Sequence, residues 1–334
     1  MKIKTKPILS LCFVLGLSTI LVCCVAGSNG KIPENAKRTK QLINRINKFC
    51  IEELGISKTI NFQKYKKNVK TTYTLVLAPI NRLYYDYTFN TTKNRKFDDI
   101  EEAKKESDAI KEKYDTYIYR LDGHAGEYPL TDPFLSLSTT RQIFLIIHED
   151  WHDNISFSRS LEEATGNLLG YLGTIKFLKE SHADTKDIKE AEATLKWTKE
   201  KARIVTHYYN ILEELYNRQN IDEAEIKRER SLIFTEAQKE CADTEKRTGA
   251  LLSNLDFNNA ALSNWITYDR YFDLVWRVYI YTGKNLKETA RIFRKIAPLP
   301  SSVWSDENKI KEYEKEAVKY LEGYAVPKKI TSRF

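Results

Sequence analysis

The 334 residues carry 54 Lys and Arg against 46 Asp and Glu, a net charge of +8, and the two signs are interspersed rather than gathered into one patch, which argues against a nucleic-acid partner. Five cysteines with no C-x-x-C spacing exclude zinc held by a cysteine knuckle.

In chain order, Met1-Lys2-Ile3-Lys4-Thr5-Lys6-Pro7 is a basic stretch followed by an almost wholly apolar run from Ile8 to Val25. Together, residues 1–26 read as an export signal or anchor, to be left out of fold reasoning. Three endings compete. Leu21-Val22-Cys23-Cys24 is an imperfect lipobox in which Cys24 would be lipidated, cleavage could fall near Ala26 or Gly27, or the run could be retained as a membrane anchor. The lipid anchor is favoured, so the expected location is exported and membrane-anchored, periplasmic or at the cell surface. Loss of residues 1–23 takes three lysines with it and lowers the net charge to +5. Cys50 and Cys241 then remain in the globular part, where pairing stays open.

About 300 mature residues could make one large domain or two, and no linker rich in Pro, Gly or Ser divides them. Pro33 to Leu54 predicts a first helix. Tyr73 to Ala78 and Thr116 to Leu121, rich in β-branched and aromatic residues, predict strands of a small sheet, with a charged helix over Asp98 to Lys113 between them. Asp122-Gly123-His124-Ala125-Gly126-Glu127-Tyr128-Pro129 reads as a loop, either a plain turn or a cleft rim in which His124 or Tyr128 supplies a hydrogen-bond donor.

The apolar run Gln142 to Ile147 leads into His148-Glu149-Asp150-Trp151-His152, an H-E-x-x-H string. On a helix, positions four apart share a face, so both imidazoles can reach one metal ion while Glu149 points at the water that ion holds. This is the pattern of a zinc hydrolase with one Zn²⁺, His148 and His152 as ligands and Glu149 as base. The polar stretch from Asp153 to Ser160 reads as a loop, with Ser160 as N-cap of the next helix. That helix starts with Glu162 and Glu163, and within E-A-x-x-N-x-x-G, Glu163 and Asn167 lie one turn apart. Glu163 is the favoured third ligand, with Glu162 or a distant residue as alternatives, and Asn167 could then orient a ligating histidine. Gly166, Gly170 and Gly173 would let the two helices approach closely.

From Leu161 on, the chain reads as nearly all helix. Val205, Tyr208, Leu212 and Leu215 form a stripe at helical spacing, and Asn217 to Asn220 breaks it before a second charged helix that runs to about Arg247. His182 and His207 read as solvated or structural. Asn258-Asn259 could cap a helix or hydrogen-bond a substrate backbone, and Tyr268 is a further candidate donor for the reaction.

Several segments in order resemble the putative aminopeptidase family of bacterial lipoprotein-type zincins. They are Tyr114 to Tyr119, Asp132-Pro133-Phe134-Leu135-Ser136, the H-E-x-x-H string with Leu161-Glu162-Glu163-Ala164, Leu212 to Tyr216, and Asn258-Asn259-Ala260 with Leu262 and Tyr268. The resemblance covers roughly residues 50–300. It implies zinc on His148, His152 and Glu163, Glu149 as base, a peptide or protein substrate and aminopeptidase activity. The residues themselves identify no pocket for a free amino terminus, so endopeptidase action stays open. Asp150-Trp151 departs from the small and aliphatic pair usual for the family, and Leu83 to Phe89 replaces its Gly/Pro-rich segment. The fold expected is α+β, predominantly helical and zincin-like. It has a catalytic part over residues 30–180 and a helical part over 181–325 that completes the same domain or forms a second lobe. The rival readings are a non-catalytic surface lipoprotein that binds macromolecules on a zincin scaffold, and a helical adaptor organised by residues 185–247.

Overall fold

A pair of crossed helices carries the H-E-x-x-H string and the Glu163 segment. The computed structural model describes residues 32–85, 94–249, 252 and 254–325. The export segment with Cys24, and residues 86–89 of the Leu83 to Phe89 stretch, lie outside the described residues. Among the described residues, no helix is long and apolar enough to cross a membrane.

Helix α1 spans Glu34–Phe49 and buries Ile43, Ile46 and Phe49. The helix predicted to reach Leu54 ends in a π-helical turn, Cys50–Leu54, because Gly55 takes a left-handed φ of 64° that stops it. A short strand β1, Tyr65–Lys66, pairs in parallel with β5, Leu130–Thr131. The main sheet has order β3-β2-β4, with β2 at Thr72–Pro79, β3 at Arg95–Phe97 and β4 at Tyr114–Leu121, all antiparallel. Helix α2, Ile100–Ile110, lies between β3 and β4 in sequence and is N-capped by Asp99, whose carboxylate accepts from the Glu101 N–H. The single turn α3, Asp132–Leu135, follows β5.

Helix α4, Thr139–His152, starts at a cap in which Ser138 Oγ accepts from the Arg141 N–H. Helix α5, Arg159–Glu180, packs across it. The crossing is close because the three glycines of α5 face large side chains of α4. A Cβ at Gly170 would lie 2.9 Å from Phe144 Cε2, and one at Gly173 would lie 3.1 Å from Ile147 Cδ1. Ser160, the predicted N-cap, sits inside the first turn instead. The helix begins earlier, at Arg159, because Glu162 reaches back and accepts from the Phe157 N–H at 2.7 Å.

The remaining chain is helical as expected, in an α+β fold that is predominantly helix. Helices α6, Thr185–Tyr216, and α7, Glu223–Thr248, form a hairpin, followed by α8, Asn259–Asp269, α9, Phe272–Tyr281, α10, Leu286–Phe293, and α11, Glu307–Ala325. One core gathers apolar residues of α1, α4, α5, α9, α10 and α11, and a second gathers those of α6, α7 and α8. From Pro33 onward these elements cluster as one unit, with α5 touching α6, α8 and α9. Cys50 and Cys241 are both buried and unpaired, and burial pushes the Cys241 thiol up to about 11. His182 lies in the exposed turn after α5, and His207 lies on an exposed face of α6 against the Tyr208 ring.

Candidate active site

One turn of α4 separates His148 from His152, and their rings turn toward each other with Nε2 atoms 3.0 Å apart. From the facing helix, Glu163 Oε2 comes within 3.3 Å of His148 Nε2 and 3.6 Å of His152 Nε2. Among the described residues these three are the one group of His, Cys, Asp and Glu side chains with the donors and convergence to hold a metal ion. Ligands at zinc bond lengths of about 2.0–2.1 Å in tetrahedral array lie roughly 3.3 Å apart, so the spacing fits a zinc ion. Among the described residues the buried Oε2 of Glu163 has no partner in hydrogen-bonding geometry and faces the two imidazoles, as a metal-facing oxygen would.

The titration of the cluster reflects its crowding. Burial raises the Glu163 carboxyl, but the neighbouring His148 and His152 imidazoles outweigh it and hold the group well below the usual carboxylate range. Burial works against a charged His152, yet Glu162 and Glu163 outweigh it and lift the imidazole well above its ordinary value.

Glu162 faces away from this convergence, on the other side of the imidazole, with Oε2 3.6 Å from His152 Nδ1. Glu162, and not the Asn167 expected from sequence, is thus the side chain beside the far nitrogen of a converging histidine. Asn167 hydrogen-bonds neither histidine, and His148 Nδ1 is buried without a partner, because that face of the ring lies flat against Gly166. A Cβ at Gly166 would stand 3.0 Å from His148 Nδ1 and 3.1 Å from its Cε1. In Gly166→Ala the helical backbone accepts alanine readily, so the cost falls on the ring. If the converging residues hold zinc, its affinity is expected to drop about tenfold or more by chelator competition, whereas Gly323→Ala on α11, with open space around it, leaves affinity unchanged.

Glu149 is 7% exposed, and its carboxylate accepts no hydrogen bond from the described residues. Its Oε1 faces Gly123, the start of the predicted rim loop. That loop is pinned over the end of α4. Asp153 accepts from the Gly126 N–H at 3.0 Å and from Asn61 Nδ2 at 2.8 Å, while Asn61 Oδ1 accepts from the Glu127 N–H at 3.0 Å. The unusual Asp150 belongs to the same network, since its carboxylate accepts from the Thr59 hydroxyl and, at 3.4 Å, from Asn61 Nδ2. Burial pushes the Asp150 carboxyl up to about 7. Nothing in the sequence signalled this network, because its partners lie some ninety residues apart.

Two clefts meet at the centre. The first, about 540 Å³, is lined by the three converging residues together with Glu149, His124, Arg159 and Tyr268, and has an apolar side of Ile155, Phe157, Leu299, Trp304 and Ile310. The second, about 500 Å³, shares His148, Glu149, Tyr119, Leu121, Gly123 and Tyr268 with the first. Tyr117, Tyr119 and Leu121 alternate along β4, hence point to one face, and sequence reading passed over Tyr119 because nothing local distinguishes it among 20 tyrosines. Tyr268 is raised well above the usual phenol value, first by the Glu163 charge and then by burial, and so stays a proton donor.

Two other expectations meet different positions. His124 lines the first cleft, but Tyr128 stacks edge-on behind it, ring centres 4.6 Å apart, and lines neither cleft. The Asn258-Asn259 pair also lines neither cleft. Asn258 Oδ1 caps α8 by accepting from the Ala261 N–H, and its Nδ2 donates to Thr116 O. Asn259 is fully buried, with Nδ2 donating to Pro79 O at 2.9 Å and Oδ1 accepting from the Tyr216 hydroxyl. The pair thus staples α8, which carries the cleft-lining Tyr268, to the sheet.

No curated protein and no solved structure matches the chain. The family described as Putative aminopeptidase matches residues 25–306, and the chain belongs to that family.

Proposed function

We propose that the protein is a membrane-anchored, zinc-dependent peptidase of zincin-like architecture. Family membership indicates a peptidase, and therefore a peptide or protein substrate. The observation that carries the metal reading is the convergence of His148 Nε2, His152 Nε2 and Glu163 Oε2 within 4.8 Å of one another, with Glu149 beside them in a cleft. Three protein ligands would leave a fourth position open on a zinc ion held there, which is the catalytic arrangement. Zinc bound there supplies Lewis acidity, polarising a carbonyl and making water more acidic.

The chain's own groups do the rest. Glu149 takes the proton from the attacking water and passes it to the leaving amine, so the carboxylate is restored at the end of the cycle. Tyr268 donates a hydrogen bond to the oxygen that gains charge during attack, and His124 stands at the cleft as a second donor. Glu162 holds the His152 ring so that its Nε2 faces the ligand position. The basic and apolar stretch of residues 1–26 anchors the catalytic unit to a membrane, with Cys24 as the lipid-bearing residue.

Stripping the metal tests the reading. Chelated protein is expected to lose peptide turnover and recover it with one equivalent of zinc. The melting temperature should rise with free zinc, about 2.7 kcal/mol of stabilisation accompanying a hundredfold excess over Kd. Turnover that survives complete removal of metal overturns it.

A further inference from the structure

The second cleft is walled differently from the first. On one side the His148 ring stacks on Phe144 at 5.3 Å, and Phe144 stacks on Tyr171 at 4.3 Å, giving a continuous aromatic wall that leads away from the reaction centre. Trp197 and Trp265 also line this cleft. Lys201, 8% exposed, and Asp269, 2% exposed, form an ion pair at 2.5 Å, and the ammonium lies 5.4 Å from the Trp265 ring centre and 5.7 Å from that of Trp197. At the side of the cleft, Asp122 is matched by Arg120 at 2.6 Å and Arg141 at 3.2 Å.

We propose that this cleft is a side-chain subsite that selects a bulky aromatic residue, tyrosine above all, next to the scissile bond. The proposal rests on the peptidase reading above. A volume of about 500 Å³ accommodates a large side chain together with its flanking backbone. Aromatic walls favour a ring over an aliphatic chain, because rings gain from stacked and edge-on geometry as well as from burial. The internal pairing of the charges sets the polar preference. Lys201 and Asp269 cancel each other, so the buried ionic end of the cleft carries no net charge, while Arg120 and Arg141 against Asp122 leave one positive charge at its side. What remains at the buried end is hydrogen bonding. An ammonium has three N–H groups and a carboxylate several lone pairs, so the pair offers both a donor and an acceptor to a phenol hydroxyl, which both accepts and donates. The first cleft has an apolar side of Ile155, Leu299 and Ile310, with Arg159 and Glu162 among its other lining residues.

Two experiments test this separately from the metal chemistry. In zinc-loaded wild type, peptides with Tyr, Phe or Ala on either side of the scissile bond are compared by kcat/KM. Tyr is expected to exceed Ala by about fiftyfold at one of the two positions, with Phe between them. Trp197→Ala should shrink the Tyr-to-Ala ratio about tenfold. The double change Lys201→Met with Asp269→Asn, which avoids leaving one buried charge alone, should bring Tyr and Phe close to equality while Phe still exceeds Ala. The second experiment titrates Glu149→Gln protein with N-acetyl-tyrosinamide and N-acetyl-alaninamide by calorimetry, a readout that needs no turnover. Tighter binding of the tyrosine compound by tenfold or more supports the subsite even if no peptide is cleaved, in which case it is the peptidase reading that fails. Equal kcat/KM for all three peptides, or equal binding of the two amides, overturns the subsite.

Discussion

Glu149→Gln is expected to lower kcat for peptide hydrolysis by about 10²–10⁴-fold while leaving zinc bound at one equivalent. The substitution keeps shape and removes only the ability to accept a proton. The Glu149 carboxylate accepts no hydrogen bond from any described residue, so no hydrogen bond is lost with the charge. The atoms proposed to hold the metal are those of His148, His152 and Glu163, none of which this change touches. KM should move little, because the proton transfer occurs in the transition state and not on binding. The measurement is metal content by mass spectrometry alongside initial rates on quenched peptides. Stoichiometric zinc with the same negligible turnover in wild type and variant would sink the enzyme reading and favour a scaffold used only for binding.

What could be read in advance divides along physical lines. Periodicity within about ten residues placed α4 and α5 and put the two histidines on one face, because a helix converts spacing into direction without reference to the rest of the chain, whereas Glu163, across a loop, rests on the E-A-x-x-N-x-x-G pattern and the family resemblance. The glycines of α5 were legible for the same reason: at positions 166, 170 and 173 they mark one face, and that face meets His148, Phe144 and Ile147. Asn258-Asn259 misled because consecutive amides look alike whether they cap a helix or hold a substrate. Only the sheet's arrival at Pro79 and Thr116 shows that their hydrogen bonds are already spent. Asn167 misled in a similar way. One helical turn from Glu163 is a correct placement, but His148 Nδ1 faces the backbone at Gly166, and the carboxylate beside the far nitrogen of His152 is that of Glu162, a position that sequence weighed as a ligand. Asp150 and Trp151 were visible only as a departure from the family pattern. Their meaning is tertiary, since Asp150 ties α4 to Thr59 and Asn61 while Trp151 ties it to α5.

That last residue carries the largest stability effect expected in the protein. Trp151 is fully buried, its indole N–H donates to Thr165 Oγ1 at 3.0 Å, and its ring meets Phe293 of α10 edge-on at 6.5 Å. Thr165 spends its own hydroxyl proton on Leu161 O at 2.7 Å, so its oxygen is oriented to accept from the indole. Trp151→Ala removes this bond and leaves a cavity between α4, α5 and α10, which should cost about 3–5 kcal/mol and lower the melting temperature by roughly 5–10 °C. Trp151→Phe keeps most of the packing and loses the hydrogen bond, for about 1–2 kcal/mol. Urea unfolding separates the two, with the midpoint shifting and the slope constant if the folded state alone is affected. Because His148 and His152 flank this residue on the same helix, the loss should also reach the site: loosening α4 against α5 separates two histidines from Glu163, so zinc affinity should fall in the order wild type, Phe variant, Ala variant. A Trp151→Ala protein within 1 kcal/mol of wild type, or one that binds zinc equally well, would show that the α4–α5 crossing is held by the glycine contacts without the indole.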